Sequence, residues 1–513
     1  MSLSGRVGRA IIWGQAGRVA EAAIFFLFYL FLARVLGPTS YGVFAVGMSL
    51  AGACVFLTLL GFGPETLGRF VPEVAAGGRR DRARHLLGKL LAVRNVAVLA
   101  AASLLLLFSR SIGERFHLPL AVESLAIVSL VFAARSIFDL LTFFSAGLLD
   151  LKRVAAAKLI AAVVAPVLFL FFWFRHALSV NAAWLAAAGS SLGGIIVLAV
   201  PFLSRAGASP TVQGDALPLR RILAFGMFAW ATNFFVYVLG DNMDVLLLGW
   251  LVPDRATIGQ YAVGAKIVFS LTALSLGWVT LVSVASLSEA WLRGGVARLA
   301  SVVEAQWKLG VLCLVPPLLL LLRFAREVVN IFYSPAYTAS VPVIQVLCGL
   351  MICGVVCGFS IQGGILYTLD HERIACAAVG LVAVFNIVGE IFLVRRMGIN
   401  GAAWATGISY VLAAIVCTTA GAFFVPFHFP VRFIGSVVVA AGIGVASTLW
   451  LQPTSVISLL AASALCGGVF FGCLAVLKPL SGEDSAGLHC VNGLLGTWSE
   501  KLFVNIRATV REG

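Results

Sequence analysis

The chain is written as long apolar stretches separated by short polar ones. They run at about 11–36, 41–63, 88–109, 121–149, 154–174, 182–204, 223–251, 260–288, 306–324, 342–369, 376–394, 400–425, 433–450 and 456–477. A helix needs about 20 residues to cross the hydrocarbon core of a bilayer, and most of these stretches reach that length. They are too continuously apolar for the alternating strands of a barrel, and an open sheet would leave backbone groups unpaired in lipid. The pattern predicts an all-α polytopic membrane protein with about 14 transmembrane helices.

Composition agrees. Hydrophobic residues make up 61% of the 513 positions and Asp, Glu, Lys and Arg only 11%, where a soluble protein carries roughly 25% charged residues. Mean hydropathy is +1.04. A soluble globule, a disordered chain, a coiled coil, collagen and a disulfide scaffold are all excluded. Nine of the ten cysteines lie in apolar runs and Cys490 lies in the tail, with no metal-ligand spacing, so reduced buried thiols are expected. Met1–Arg9 is short and polar, with no cleavage site after it, and is read as carrying no signal peptide. There is no Walker motif, no glycine-rich phosphate loop after a strand and no spaced His cluster. No loop is long enough to form a domain of its own. The expectation is a protein that is not an enzyme, with no cofactor and no metal site.

The net charge of +14 changes the picture next. With the N-terminus inside and the sides alternating, the inner segments hold 23 cations and the outer segments 9, the other four lying within helices. That asymmetry is the positive-inside signal. It places both termini of the multi-pass protein in the cytoplasm. The basic excess is then a topology label and does not point to nucleic acid.

Pro, Gly and Asp punctuate "PTVQGDALPLRR" (210–221), which reads as a linker between two halves. Shifting the chain by 217 residues brings Trp13 onto Trp230, and Tyr41–Gly47 onto Ile258–Gly264. The repeat divides the chain into a six-helix lobe at 1–209, a cytoplasmic linker at 210–222 and a second six-helix lobe at 223–426. Two extra C-terminal helices occupy 427–477. Two like-oriented repeats imply a central cavity between them. In the tail, 478–513, Leu495, Trp498, Leu502, Ile506 and Val510 recur at helical spacing and predict an interfacial amphipathic helix. Trp173, Trp184, Trp250, Trp404 and Trp450 fall near helix ends, as an aromatic belt would.

Ionisable residues inside apolar helices are costly and tend to face a cavity or a partner. Arg18 and Glu21 are spaced i,i+3, and Arg135 and Asp139 i,i+4, so each pair can meet on one face. The pairs either neutralise themselves for insertion or hold a cation ready for an anion. With Arg94 they would form a basic, substrate-binding site open to the cytoplasm, since the planar guanidinium fork matches phosphate oxygens. Asn233, Tyr237, Asp241 and Asp244 make one polar stripe on the seventh stretch, near the depth of Lys266 on the eighth. This group is either a structural network or a coupling-ion or gate site for a proton or sodium ion. Glu390 lies about a turn from the outer end of its helix and is expected at the surface.

Three segments carry a family likeness: "RVLGPTSYGVFAV" (Arg34–Val46), "GFGPETLGRFVPE" (Gly61–Glu73) and "MGINGAAWAT" (Met397–Thr406). They resemble the signature turns of the Wzx-like polysaccharide and oligosaccharide flippases of the MOP (multidrug/oligosaccharidyl-lipid/polysaccharide) superfamily. The resemblance covers most of residues 1–477. It implies two six-helix lobes around a central cavity plus two further helices. It also implies a polyprenyl-diphosphate-linked oligosaccharide as the substrate, moved from the inner to the outer leaflet during cell-surface polysaccharide biosynthesis. Polysaccharide-assembly proteins of the membrane would be its partners. Arg18 is its best positional match for a diphosphate-binding cation, with Arg34 and Arg69 as flanking positions. A cation-coupled multidrug exporter of the same superfamily and a non-transporting membrane scaffold are the alternatives.

Overall fold

The computed structural model describes residues 3–75, 80–116, 122–203, 219–361 and 364–481. The expected amphipathic helix of the tail and most of the linker lie outside the described residues. The chain divides into two compact units, Met1–Ala262 and Val263–Gly513.

The first unit holds α1 (Leu3–Thr58), α2 (Pro64–Ala75), α3 (Arg80–Leu107), α4 (Ser109–Arg115), α5 (Val122–Gly147), α6 (Leu151–Phe174), α7 (Val180–Leu203), α8 (Leu219–Val238) and α9 (Asp241–Leu251), and it takes in the start of α10 (Arg255–Arg323). The second unit holds the rest of α10, then α11 (Ala325–Val328), α12 (Ser340–Val356), α13 (Gly364–Thr368), α14 (Glu372–Met397), α15 (Ile399–Ala422), α16 (Val431–Ala446) and α17 (Val456–Leu477). Every apolar stretch of the sequence overlaps these helices, the tenth being divided between α12 and α13. The first two share α1, which kinks at Gly37 (φ 71°), and the eighth and ninth share α10, which kinks at Gly295 (φ 60°). Among the described residues nine helices are long and apolar enough to cross a membrane, or ten if α8 and α9 count as one bent span.

Lipid gives apolar helices no hydrophobic reason to associate, so packing comes from small residues that let backbones approach. In the first unit Ala157, Ala161, Ala162 and Ala165 of α6 are buried, as are Ala182, Ala183 and Ala186 of α7. α2 is amphipathic. Its Leu67, Phe70, Val71 and Val74 pack with Leu140, Leu141 and Phe144 of α5 in one apolar cluster.

Within this unit α1 and α10 cross at two glycines. A Cβ on Gly42 would lie 2.0 Å from the Arg255 carbonyl, and one on Gly259 would lie 2.0 Å from the Pro38 carbonyl. The crossing is reciprocal: Gly42 is to Arg255 as Gly259 is to Pro38, and each equivalent pair is separated by the 217 residues of the sequence repeat. Gly61 and Gly226 approach one another in the same mutual way. Only glycine admits such backbone contact.

Two expectations are corrected here. The seventh stretch is not one straight helix: α8 and α9 bend by 60° across Leu239–Gly240. Trp184 is not part of an interfacial belt. It is wholly buried, its indole N–H donates to the Phe44 carbonyl at 3.2 Å, and Gly47 leaves room for its ring.

Candidate functional site

The α5 helix organises charge in the first unit. Arg135 and Asp139 share one of its faces, with Nε 3.8 Å from Oδ2 and with side chains 56% and 25% exposed. Ser136 is wholly buried beside them and shares a 3.0 Å hydrogen bond with Thr58 of α1. Arg94 of α3 has no exposed surface, and it donates to Ser136 Oγ and to the Phe62 carbonyl, both at 3.3 Å. That carbonyl lies in the non-helical turn between α1 and α2, where Leu60 (φ 46°) and Gly61 (φ 80°) are left-handed. Arg94 therefore holds a chain reversal in place and does not present its charge to a cavity.

Glu21 of α1 forms a salt bridge with Lys158 of α6, Nζ to Oε2 at 3.2 Å, with both side chains mostly buried. The i,i+3 spacing points Glu21 to Arg18 on its own helix, whereas this salt bridge comes from α6. The Arg18 side chain lies outside the described residues. Glu21, Arg94, Arg135 and Lys158 all lie within electrostatic range of Asp139. The cluster thus sets three cations against two acids. Arg135 is its most exposed guanidinium, with donors to spare for an anion.

The α8–α9 break gives the second group a different form. Gly240 precedes α9, so Asp241 and Asp244 occupy its first turn. Negative charge is stabilised there by the free N–H groups at a helix start. Asp244 is wholly buried and accepts a hydrogen bond from the Tyr261 hydroxyl on α10. Asn233 and Tyr237 remain behind on α8, so the expected continuous stripe is broken. They line an apolar cavity of about 270 Å³ with Phe56 and Trp230. Phe56 stacks on Trp230 at 5.7 Å and on Tyr237 at 5.1 Å, and the Trp230 indole donates to the Phe56 carbonyl at 3.1 Å. Lys266 belongs to the second unit and is half-buried on α10.

In the second unit Glu390 is wholly buried, which corrects the expected surface position. Ala383, Asn386, Glu390 and Val394 recur at helical spacing on the buried face of α14. α15 meets α14 with small buried residues, Gly401, Ala402 and Ala405, and a Cβ on Gly401 would lie 2.2 Å from the Leu393 carbonyl. Asn386 donates to Thr406 Oγ1 at 3.4 Å. Depth along the helix axis suggested exposure, whereas the periodicity of that face signalled burial.

Among the described residues no three His, Cys, Asp or Glu gather as metal ligands. At the helix boundary outside the spans, Asp254 caps α10. Its carboxylate accepts from the Thr257 hydroxyl and from the N–H groups of Ala256 and Thr257, both at 3.1 Å. The Thr257 hydroxyl, followed by those N–H groups, holds this carboxyl below the usual carboxylate range.

Long apolar helices with charge set inside them define the fold of a polytopic membrane protein. That fold recurs in the solved structure titled lipid II flippase MurJ, inward closed conformation. The two share 14% identity over 88% of this chain and 98% of that one, with a TM-score of 0.63. It recurs in an inward-facing multidrug resistance MATE family transporter of the MOP superfamily, 15% identical over 78% of this chain and 94% of that one, TM-score 0.65. A model of the polysaccharide biosynthesis protein family matches residues 31–342, and the chain belongs to that family. A membrane protein of Methanocaldococcus jannaschii, itself called uncharacterized, is 21% identical over 437 residues, 80% of this chain and 83% of that one.

Proposed function

We propose that this protein flips a polyprenyl-diphosphate-linked oligosaccharide from the cytoplasmic to the periplasmic leaflet of a bacterial inner membrane by alternating access. The observation that carries the reading is the half-exposed Arg135 guanidinium, set among spanning helices in a cluster with more cations than acids. Such a group suits a diphosphate, which needs planar donors and positive potential. Arg18, Arg135 and Lys158 would bind it. Glu21 and Asp139 would orient the cations, and Arg94 would hold the frame. The topology is fourteen crossings with both termini cytoplasmic: lobes at 1–209 and 223–426 joined by 210–222, two added helices at 427–477 and the tail at 478–513.

Coupling falls to the enclosed acids. Asp241 and Asp244, with Asn233 and Tyr237, form the gate or coupling-ion group of the first unit. Glu390 with Asn386 and Thr406 adds a carboxyl, an amide and a hydroxyl, oxygen ligands that suit a proton or a sodium ion. The test is flipping of a fluorescent polyprenyl-diphosphate sugar in liposomes, with proton and sodium gradients imposed separately. Gradient-driven flipping is expected. Absence of flipping under every gradient sinks the reading.

The stacked slot of Phe56, Trp230 and Tyr237 favours a second reading, export of a flat organic cation. Gradient-driven efflux of a cationic dye from the same liposomes, with no lipid flipped, would establish it instead.

A further inference from the structure

The second unit contains a cavity that the flipping scheme does not use. α10 ends at Arg323, and the following turns carry Arg326, Glu327 and Asn330. The loop between α16 and α17 carries Gln452 and Thr454. These residues line a cavity of about 930 Å³. Arg323 is committed to the protein itself. Its Nη2 donates to the carbonyls of Thr448 at 2.7 Å and Leu451 at 3.0 Å, and its Nη1 lies 3.8 Å from Glu327. That clamp fixes the loop against α10, and it balances the charge of Glu327.

Arg326, Asn330, Gln452 and Thr454 are different. Among the described residues the side chain of none of them makes a hydrogen bond or an ion pair. One cation in excess, two amides and a hydroxyl therefore share a cavity whose loop is held rigid from behind. Ile331, Leu449 and Val456 supply an apolar wall. A guanidinium takes an anionic oxygen, amides and hydroxyls take ring hydroxyls, and an apolar wall takes the C–H face of a sugar.

We propose that this cavity binds an anionic saccharide, a sugar bearing a phosphate or a carboxylate. It lies where α17 begins, at the end of the spans that the charge distribution assigns to the outside. There it would hold the headgroup of a lipid-linked glycan or a free acidic sugar. Binding itself does not depend on the flipping reading.

Calorimetric titration of the full-length protein in nanodiscs tests this, with glucose 1-phosphate, glucuronate, glucose and inorganic phosphate as probes. Glucose 1-phosphate or glucuronate is expected to bind at least tenfold more tightly than either glucose or inorganic phosphate. Arg326→Gln should weaken that binding at least tenfold, and Gln452→Ala severalfold, with the melting temperature unchanged because neither side chain takes part in the Arg323 clamp. Equal binding of inorganic phosphate and sugar phosphate would overturn the proposal. So would binding that survives Arg326→Gln, or that is lost in Arg135→Gln instead, since the ligand would then sit in the α5 cluster. A polyprenyl-phosphate sugar in the nanodisc that competes with the free probe identifies the lipid headgroup as the ligand's source. Failure to compete assigns the site to free acidic sugars.

Discussion

The α5 cluster and the start of α9 both set charge within the apolar spans of the first unit, but they settle it by different means. Around α5, charge answers charge: Lys158 meets Glu21 across two helices, and Arg135 meets Asp139 along α5 itself. The Arg135 side chain stays 56% exposed there. At α9, a helix start and the Tyr261 hydroxyl receive an acid that has no exposed surface at all. The first arrangement leaves donors for a visiting anion. The second spends the acid on internal partners and suits a small ion or proton. Charge inside a membrane protein is thus not one signal, because its exposure and the kind of partner it meets decide what it can bind.

The largest stability effect should come from Arg94→Met. It leaves the Phe62 carbonyl and Ser136 buried without their donor and removes a cation from the field of Asp139. A loss on the order of 3 kcal/mol is expected, read as a lower melting temperature in detergent. Full stability of that variant would place Arg94 with the ligand-facing cations and blur the comparison.

The crossing that joins α1 to α10 comes next. Gly259→Ala puts a methyl against the Pro38 carbonyl, a backbone atom that cannot step aside, and should cost about 1–3 kcal/mol. Gly42→Ala should cost about the same through the reciprocal contact with Arg255. Unequal effects would break the symmetry of the crossing. Tyr261→Phe removes a donor to buried Asp244, an expected loss of about 1–2 kcal/mol, with altered dependence of transport on the driving ion.

The smallest effect belongs to Asp254, outside the spans. Asp254→Ala should cost about 1 kcal/mol of helix stability. Because the folded protein holds this carboxyl low, its contribution is present above about pH 4, the ordinary carboxylate value, and is lost as pH falls through the folded value. Acid titration of the melting temperature should therefore separate wild type from variant near neutrality and bring them together at low pH.

The helices were legible in the sequence because continuous apolarity of spanning length has no other stable form in lipid. The repeat was legible too, since the glycines that must meet, Gly42 and Gly259, stand in register. The break at Gly240 was not, because a single glycine in an apolar run is as compatible with a straight helix. The partner of Glu21 was missed for a related reason. Periodicity ranks neighbours on one helix, whereas Lys158 arrives from another. Glu390 misled because its depth along the axis was weighed before the face it occupies.

The central claim is that Arg135 faces the diphosphate while Arg94 only supports the frame. The direct measurement is the flipping rate of a fluorescent polyprenyl-diphosphate sugar by Arg135→Gln protein in liposomes, matched to wild type for inserted protein and melting temperature. The account predicts a loss of at least a hundredfold with a melting temperature near wild type, since a half-exposed ion pair adds only about 0–1 kcal/mol. Flipping at the wild-type rate by that variant would contradict it.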